Sequence, residues 1–223
     1  MWNIRLLQVI TLQKMYEKFM DSVVNSAEFQ KLSKIGGHKV YHLEGDALKH
    51  SLMVVEEAKK MFPNDYKMWL VALLHDIGKI YTSVCNGPDD WSYPNHAKAG
   101  AEHLAEFIPE NHPDYKAIEW YIANHIKPLF WRGKKDKTLR REIFLLDCPE
   151  GCSIVKLAKL AICDIQGSRA SVSQDELLAF LYKFVEEREF AIEEAHSQGL
   201  EFEVETYINC GLSPDEALEE WDL

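Results

Sequence analysis

No stretch of the 223-residue chain approaches the roughly 20 consecutive apolar residues that a membrane-spanning helix needs. The N-terminus, Met1-Trp2-Asn3-Ile4-Arg5-Leu6-Leu7, has one positive charge and a short apolar run. No small-residue cleavage site follows, so a secretory signal is not expected. Cysteine is scarce and without pattern: Cys85, Cys148, Cys152, Cys163 and Cys210 form no CxxC pair. An odd set without a framework suits a reducing compartment, and a cytoplasmic protein is expected. Cys148 and Cys152 stand at helical spacing, but Pro149 and Gly151 between them favour a turn. Internal repeats and low-complexity tracts are missing, and strand signals are few. Phe202 to Ile208, with its alternating glutamates, leaves helix and strand both open. The fold class expected is all-α.

Charge is present but uneven. The formal net charge is −11, yet Ser173 to Leu223 holds 15 acidic and 2 basic residues, while the rest of the chain holds 21 acidic and 23 basic. This argues against broad, charge-driven coating of nucleic acid. It leaves a local pocket untouched.

Apolar residues Leu12, Met15, Tyr16, Phe19, Met20 and Val23 recur at helical steps and predict a helix over about 3–31. A glycine-punctuated loop, about 34–45, comes next. Asp46 then caps a helix over about 47–61 that carries His50. The apolar run Trp69 to Leu74 ends in His75-Asp76-Ile77-Gly78-Lys79, with Gly78 expected to end the helix. Residues 82–95 read as loop. Helices are predicted over about 96–107, 114–126, 139–146, 152–166 and 174–197. Ser213-Pro214 opens a last short one.

A histidine beside an aspartate at a helix end suits a divalent cation of intermediate hardness; the plain alternative is a capping His and a solvated Asp. Asp164 sits in the almost wholly apolar Leu157-to-Ile165 helix. A buried carboxylate there needs a metal or a paired cation such as Arg169. His96 opens a helix and His125 closes one. Both either join the site or merely cap. Lys79, one turn past His75-Asp76, contacts a phosphate, holds Asp76, or is a solvated helix-end lysine. Lys127, Arg132, Lys134, Lys135, Lys137, Arg140 and Arg141 form a basic run behind His125 with Asp136 its one acid, and Phe130 and Trp131 stand at its front. Such a run gathers phosphate and stacks a base, or is a solvated loop.

In this order, His50, His75-Asp76 and Asp164 resemble the H…HD…D signature of the HD phosphohydrolase superfamily. The flanks agree: Lys49-His50-Ser51-x-x-Val54 and Leu73-Leu74-His75-Asp76-Ile77-Gly78-Lys79. Gly45-Asp46-x-x-x-His50 and Asn95-His96-x-x-x-Gly100-Ala101 are similar to the HD domain attached to some bacterial tRNA nucleotidyltransferases. No nucleotidyltransferase domain accompanies it here, and no GYP-type motif follows the HD pair, which disfavours a cyclic-di-GMP enzyme. His42 also precedes the pair, but in the glycine loop, so His50 is preferred as first ligand.

The resemblance implies an HD-type helical bundle: a single domain over 1–223 with extra N- and C-terminal helices. Its HD core covers about 38–170 and an acidic helical extension about 173–223. It implies one or two divalent ions, Mn²⁺, Fe²⁺, Co²⁺, Ni²⁺ or Mg²⁺, held by His50, His75, Asp76 and Asp164, with His96 and His125 as a second set. Asp76, Lys79, His96 and His125 would be catalytic. Lys79, Lys127, Trp131, Arg132 and Arg169 would meet the substrate. The expected partner is a small phosphorylated substrate, a nucleotide or an RNA end such as a 2′,3′-cyclic phosphate, with no membrane partner and a homo-oligomer left open. The alternatives are a nucleoside 5′-phosphatase or deoxynucleotide hydrolase, and a non-catalytic metal-bound nucleotide sensor or partner-binding module.

Overall fold

Eleven α-helices and one small hairpin are formed by residues 2–37, 40, 43–88 and 90–219, which the computed structural model describes; for 2–10, 201, 202, 218 and 219 the description is of backbone alone. His38 and His42 lie outside the described residues. The chain divides into two compact units. The first is Met1–Ala123 with Gln166–Val172, the second Asn124–Ile165 with Ser173–Leu223. The span of about 38–170 expected as one HD core is therefore shared between them.

In the first unit, α1 (Trp2–Val24) and a short 3₁₀ turn, Phe29–Lys34, precede α2 (Ala47–Met61) and α3 (Tyr66–Leu74). The N-caps are those the sequence marks: Asp46 accepts from Lys49 N at 2.9 Å and Asp65 from Met68 N at 3.3 Å. Each satisfies an orphan helix-end donor. Met68 to Leu74 are all buried, because α3 is apolar on every face and has no side to offer water. Helix α2 buries one stripe, Ala47, His50, Ser51, Val54, Val55 and Ala58, and packs on α3. A short helix, α4 (Lys79–Thr82), follows the HD turn.

Residues 82–95 are not all loop. β1 (Val84–Gly87) pairs antiparallel with β2 (Asp90–Ser92), with a bulge between Cys85 and Gly87. The β1 residues are mostly exposed, so no apolar alternation betrays the strand. Trp91 covers Gly36, where a Cβ would come within 2.4 Å of its Nε1. After the hairpin come α5 (His96–Glu102) and α6 (Tyr115–Asn124).

In the second unit, α7 (Asp136–Phe144), α8 (Ile154–Gln166), α9 (Asp175–Gln198), α10 (Glu201–Asn209) and α11 (Pro214–Glu219) follow. The ambiguous Phe202–Ile208 stretch is helix. Val204 and Ile208, four apart, are both fully buried, and α10 packs on α9. Thr206 between them is exposed; a strand would put all three on one face, so the burial pattern is that of a helix. Asn209 at the end of α10 accepts from Ile154 N at 2.9 Å, which caps α8. No helix among the described residues is long and apolar enough to cross a membrane.

Candidate metal centre

Helix α3 stops at Leu74, and the turn after it is wound with i+3 bonds. Ile77 N donates to Leu74 O, Lys79 N to Asp76 O and Ile80 N to Ile77 O, at 3.0–3.2 Å. Gly78 does not serve as the left-handed cap the sequence suggests; its φ is −63°. Its reason is space. A Cβ there would lie 1.9 Å from His96 O and 2.4 Å from Gly100 N. On the facing side, a Cβ at Gly100 would lie 2.9 Å from Ile122 Cγ2. Two glycines thus let the backbone of α5 rest on the HD turn. Asn95, in the left-handed region at φ 57°, turns the chain into α5, and His96 arrives beside Asp76.

Three imidazoles converge on that one carboxylate. Asp76 Oδ2 lies 3.5 Å from His50 Nε2 and 3.3 Å from His75 Nε2, and Oδ1 lies 3.4 Å from His96 Nε2. In two of the rings Nδ1 is hydrogen-bonded to the backbone. His75 Nδ1 meets Ala72 O at 2.7 Å and His96 Nδ1 meets Tyr93 O at 2.8 Å. A carbonyl only accepts, so these nitrogens carry a proton, which makes Nε2 the ligand atom of the neutral ring. His50 Nδ1 lies 3.0 Å from Glu44 Oε1, both side chains 1 % exposed. His50, His75 and Asp76 offer ligand atoms within 4.8 Å of one another. Imidazoles around a buried carboxylate are a donor set that fits a divalent ion, and the outward Nδ1 bonds of His75 and His96 fix the tautomer a ligand needs.

Lys79 Nζ lies 2.6 Å from Asp76 Oδ2 with both side chains almost wholly buried, and 4.3 Å from the centre of the Tyr93 ring. Of its three expected roles, the geometry matches holding Asp76; a solvated lysine is corrected by its burial. Burial alone would raise the Asp76 carboxyl, but Lys79, His75 and His96 hold it well below the usual carboxylate range. Burial lowers His96 beneath the ordinary imidazole value, and Asp76 offsets this only in part. The first direction keeps Asp76 anionic, and the second favours the neutral His96 ring.

His125, just past α6, is buried, and Asp164 on α8 is half-buried; both belong to the second unit. Lys127 is exposed. Trp131, expected to stack a base, is 1 % exposed, with its ring 5.0 Å from that of Phe184. It is a core residue of its unit and shows no free face. Arg132 is paired with Glu176. The side chain of Arg169 is exposed, while its backbone N donates to Glu44 Oε2 at 3.0 Å. Glu44 and Tyr93 went unnoticed in the sequence. An acid inside a glycine loop carries no mark of burial, and Tyr93 lies in a stretch that reads as loop.

A helical scaffold with histidines gathered on a buried aspartate defines a metal-site protein of the His/Asp type. Residues 47–159 match the family model of the HD domain, and the chain belongs to that family. The family is generally one of metal-dependent hydrolases. The match includes His50, His75, Asp76, His96 and His125 and ends five residues short of Asp164. It does not single out the subgroup attached to tRNA nucleotidyltransferases. No curated protein and no solved structure matches the chain.

Proposed function

We propose that the chain is a divalent-metal-dependent phosphohydrolase or phosphodiesterase acting on a nucleotide or an RNA-terminal phosphoester, 2′,3′-cyclic phosphates included. The observation that carries it is the convergence of three imidazole Nε2 atoms on Asp76, in a chain of the HD family. His50, His75 and Asp76 are the first ligands, joined by Asp164 on the family's order of residues. His96 and His125 form the second set. Nitrogen and oxygen donors without thiolate suit Mn²⁺, Fe²⁺, Co²⁺, Ni²⁺ or Mg²⁺. An ion bound there supplies an activated water near neutral pH and neutralises charge on a phosphoryl group. Asp76 stays anionic between its partners, Lys79 holds it in place, and Nδ1 bonds keep His75 and His96 aimed inward. Lys127, Lys135 and Lys137, all exposed, draw the substrate's phosphates by long-range attraction.

The test is hydrolysis with Mn²⁺ of bis-p-nitrophenyl phosphate against p-nitrophenyl phosphate, then a panel of nucleotides and 2′,3′-cyclic phosphates. Diester turnover supports the proposal. A preference for the monoester points to the nucleoside 5′-phosphatase. Turnover of neither, with metal bound, leaves the sensor. Alanine at His96 or His125 is expected to drop the ion count from two to one. Unchanged metal with a lower kcat would make both contacts to the phosphate instead.

A further inference from the structure

Three histidines face Asp76, but only one is aimed by a side chain. His75 and His96 give their Nδ1 protons to backbone carbonyls three residues earlier, Ala72 O and Tyr93 O. Local winding fixes both of those acceptors. His50 lies inside α2, where the preceding carbonyls are committed to helix bonds. Its Nδ1 turns instead to Glu44, at 3.0 Å.

Glu44 has backbone support from far along the chain. Leu43 N donates to Arg169 O at 2.7 Å, and Ser171 N donates to Val40 O at 2.8 Å. The Arg169 N–H goes to the second carboxylate oxygen, Glu44 Oε2, at 3.0 Å. Gly167 seats the returning segment on α2, since a Cβ there would lie 2.8 Å from Val54 N. Helix α2, residues 166–172 and Glu44 therefore close a ring that ends on His50. One carboxylate oxygen accepts from a backbone N–H, and the other lies 3.0 Å from the imidazole Nδ1. A buried carboxylate needs such partners.

We infer that Glu44 is a positioning residue for the metal: its carboxylate holds His50 with the proton on Nδ1 and the lone pair of Nε2 toward Asp76. This rests on the proposed metal-dependent function and adds to it a residue outside the matched span of 47–159. A carboxylate behind a ligating histidine raises its basicity as well as fixing its angle, and loss of such a partner costs about 10–100-fold in metal affinity.

The experiment is a titration of the folded protein with Co²⁺ alone, followed by visible absorption, in wild type, Glu44→Ala and Glu44→Gln. The alanine variant is expected to bind about 10–100-fold more weakly. Gln keeps one acceptor oxygen but turns an amide NH₂ toward the second donor, so an intermediate loss is expected. It also reads the effect if the alanine variant does not fold. Nitrogen NMR of the metal-free protein, above the pH at which its imidazoles are neutral, should show His50 protonated on Nδ1 in wild type and a tautomer mixture in Glu44→Ala. Wild-type Co²⁺ affinity and an unchanged tautomer in the variants, with only a lower unfolding midpoint, would overturn the inference. If the wild type itself takes up no Co²⁺, the proposed function fails, and the inference with it.

Discussion

The HD turn and the basic run of residues 127–141 both concentrate charge, and the structure uses the two in opposite ways. At the turn, Asp76 is 2 % exposed and Lys79 3 %, and Lys79, His50, His75 and His96 all face one carboxylate. In the basic run the charges lie mostly at the surface, and three of the seven are held in pairs. Arg132 meets Glu176, Lys134 meets Glu142, and Arg140 meets Glu216 at 2.5 Å. Glu176 and Glu216 come from the acidic C-terminal segment, which therefore neutralises part of the basic run inside its own unit. Charge density alone does not mark a site. Few charges held out of water do, because a buried charge must be compensated by something fixed.

Removing a partner at the turn should cost most. Lys79→Met keeps the length of the side chain and deletes its charge, which leaves Asp76 buried without its nearest cation. Breaking such a buried pair costs about 3–5 kcal/mol. The denaturant midpoint of the metal-free protein should fall accordingly, and an unchanged midpoint would erase the contrast between the two regions. Next comes Gly78→Ala, where the new Cβ meets a carbonyl oxygen at 1.9 Å. Overpacking typically costs about 1–3 kcal/mol, and backbone against backbone has little room to yield. Displacement of His96 should accompany it, seen as weaker Mn²⁺ binding at 25 °C; a variant with wild-type melting and metal affinity would show that the glycine contact does not set the site.

At the basic run the effects should be small. Arg132→Ala removes an exposed pair, and such pairs contribute about 0–1 kcal/mol. A midpoint shift as large as that of Lys79→Met would show that exposure is a poor guide here. Smallest in stability, but visible in kinetics, is the joint change of Lys134, Lys135 and Lys137 to alanine. KM should rise by a few-fold at low salt, and its salt dependence should flatten, since screening acts on long-range attraction. A KM that is indifferent to both would leave the run as solvated surface.

Much of the helical scaffold was legible because burial leaves a period. Asp46 announced α2, and the apolar stretch Trp69 to Leu74 announced a helix buried on all faces. The hairpin of β1 and β2 left no such trace, β1 being mostly exposed and the pair held by backbone bonds. At the site, His50, His75, Asp76 and His96 could be picked out by type and order. The meaning of Gly78 could not: its sequence context looks like a helix stop, while its use is contact with α5. Glu44 was illegible for a related reason, since its partners, His50 and the Arg169 amide, meet only after folding. Trp131 was misplaced because an aromatic at the head of a basic run resembles a base-stacking residue, whereas packing against Phe184 takes its faces.

Metal content of the protein after loading with Mn²⁺ and removal of free ion, compared between wild type and Asp76→Ala, addresses most directly whether the imidazoles are gathered on Asp76 to hold an ion. At least one ion per chain in wild type is expected, and none in the variant, with helical content kept. A full complement of metal in Asp76→Ala would contradict the assignment of Asp76 as the shared ligand.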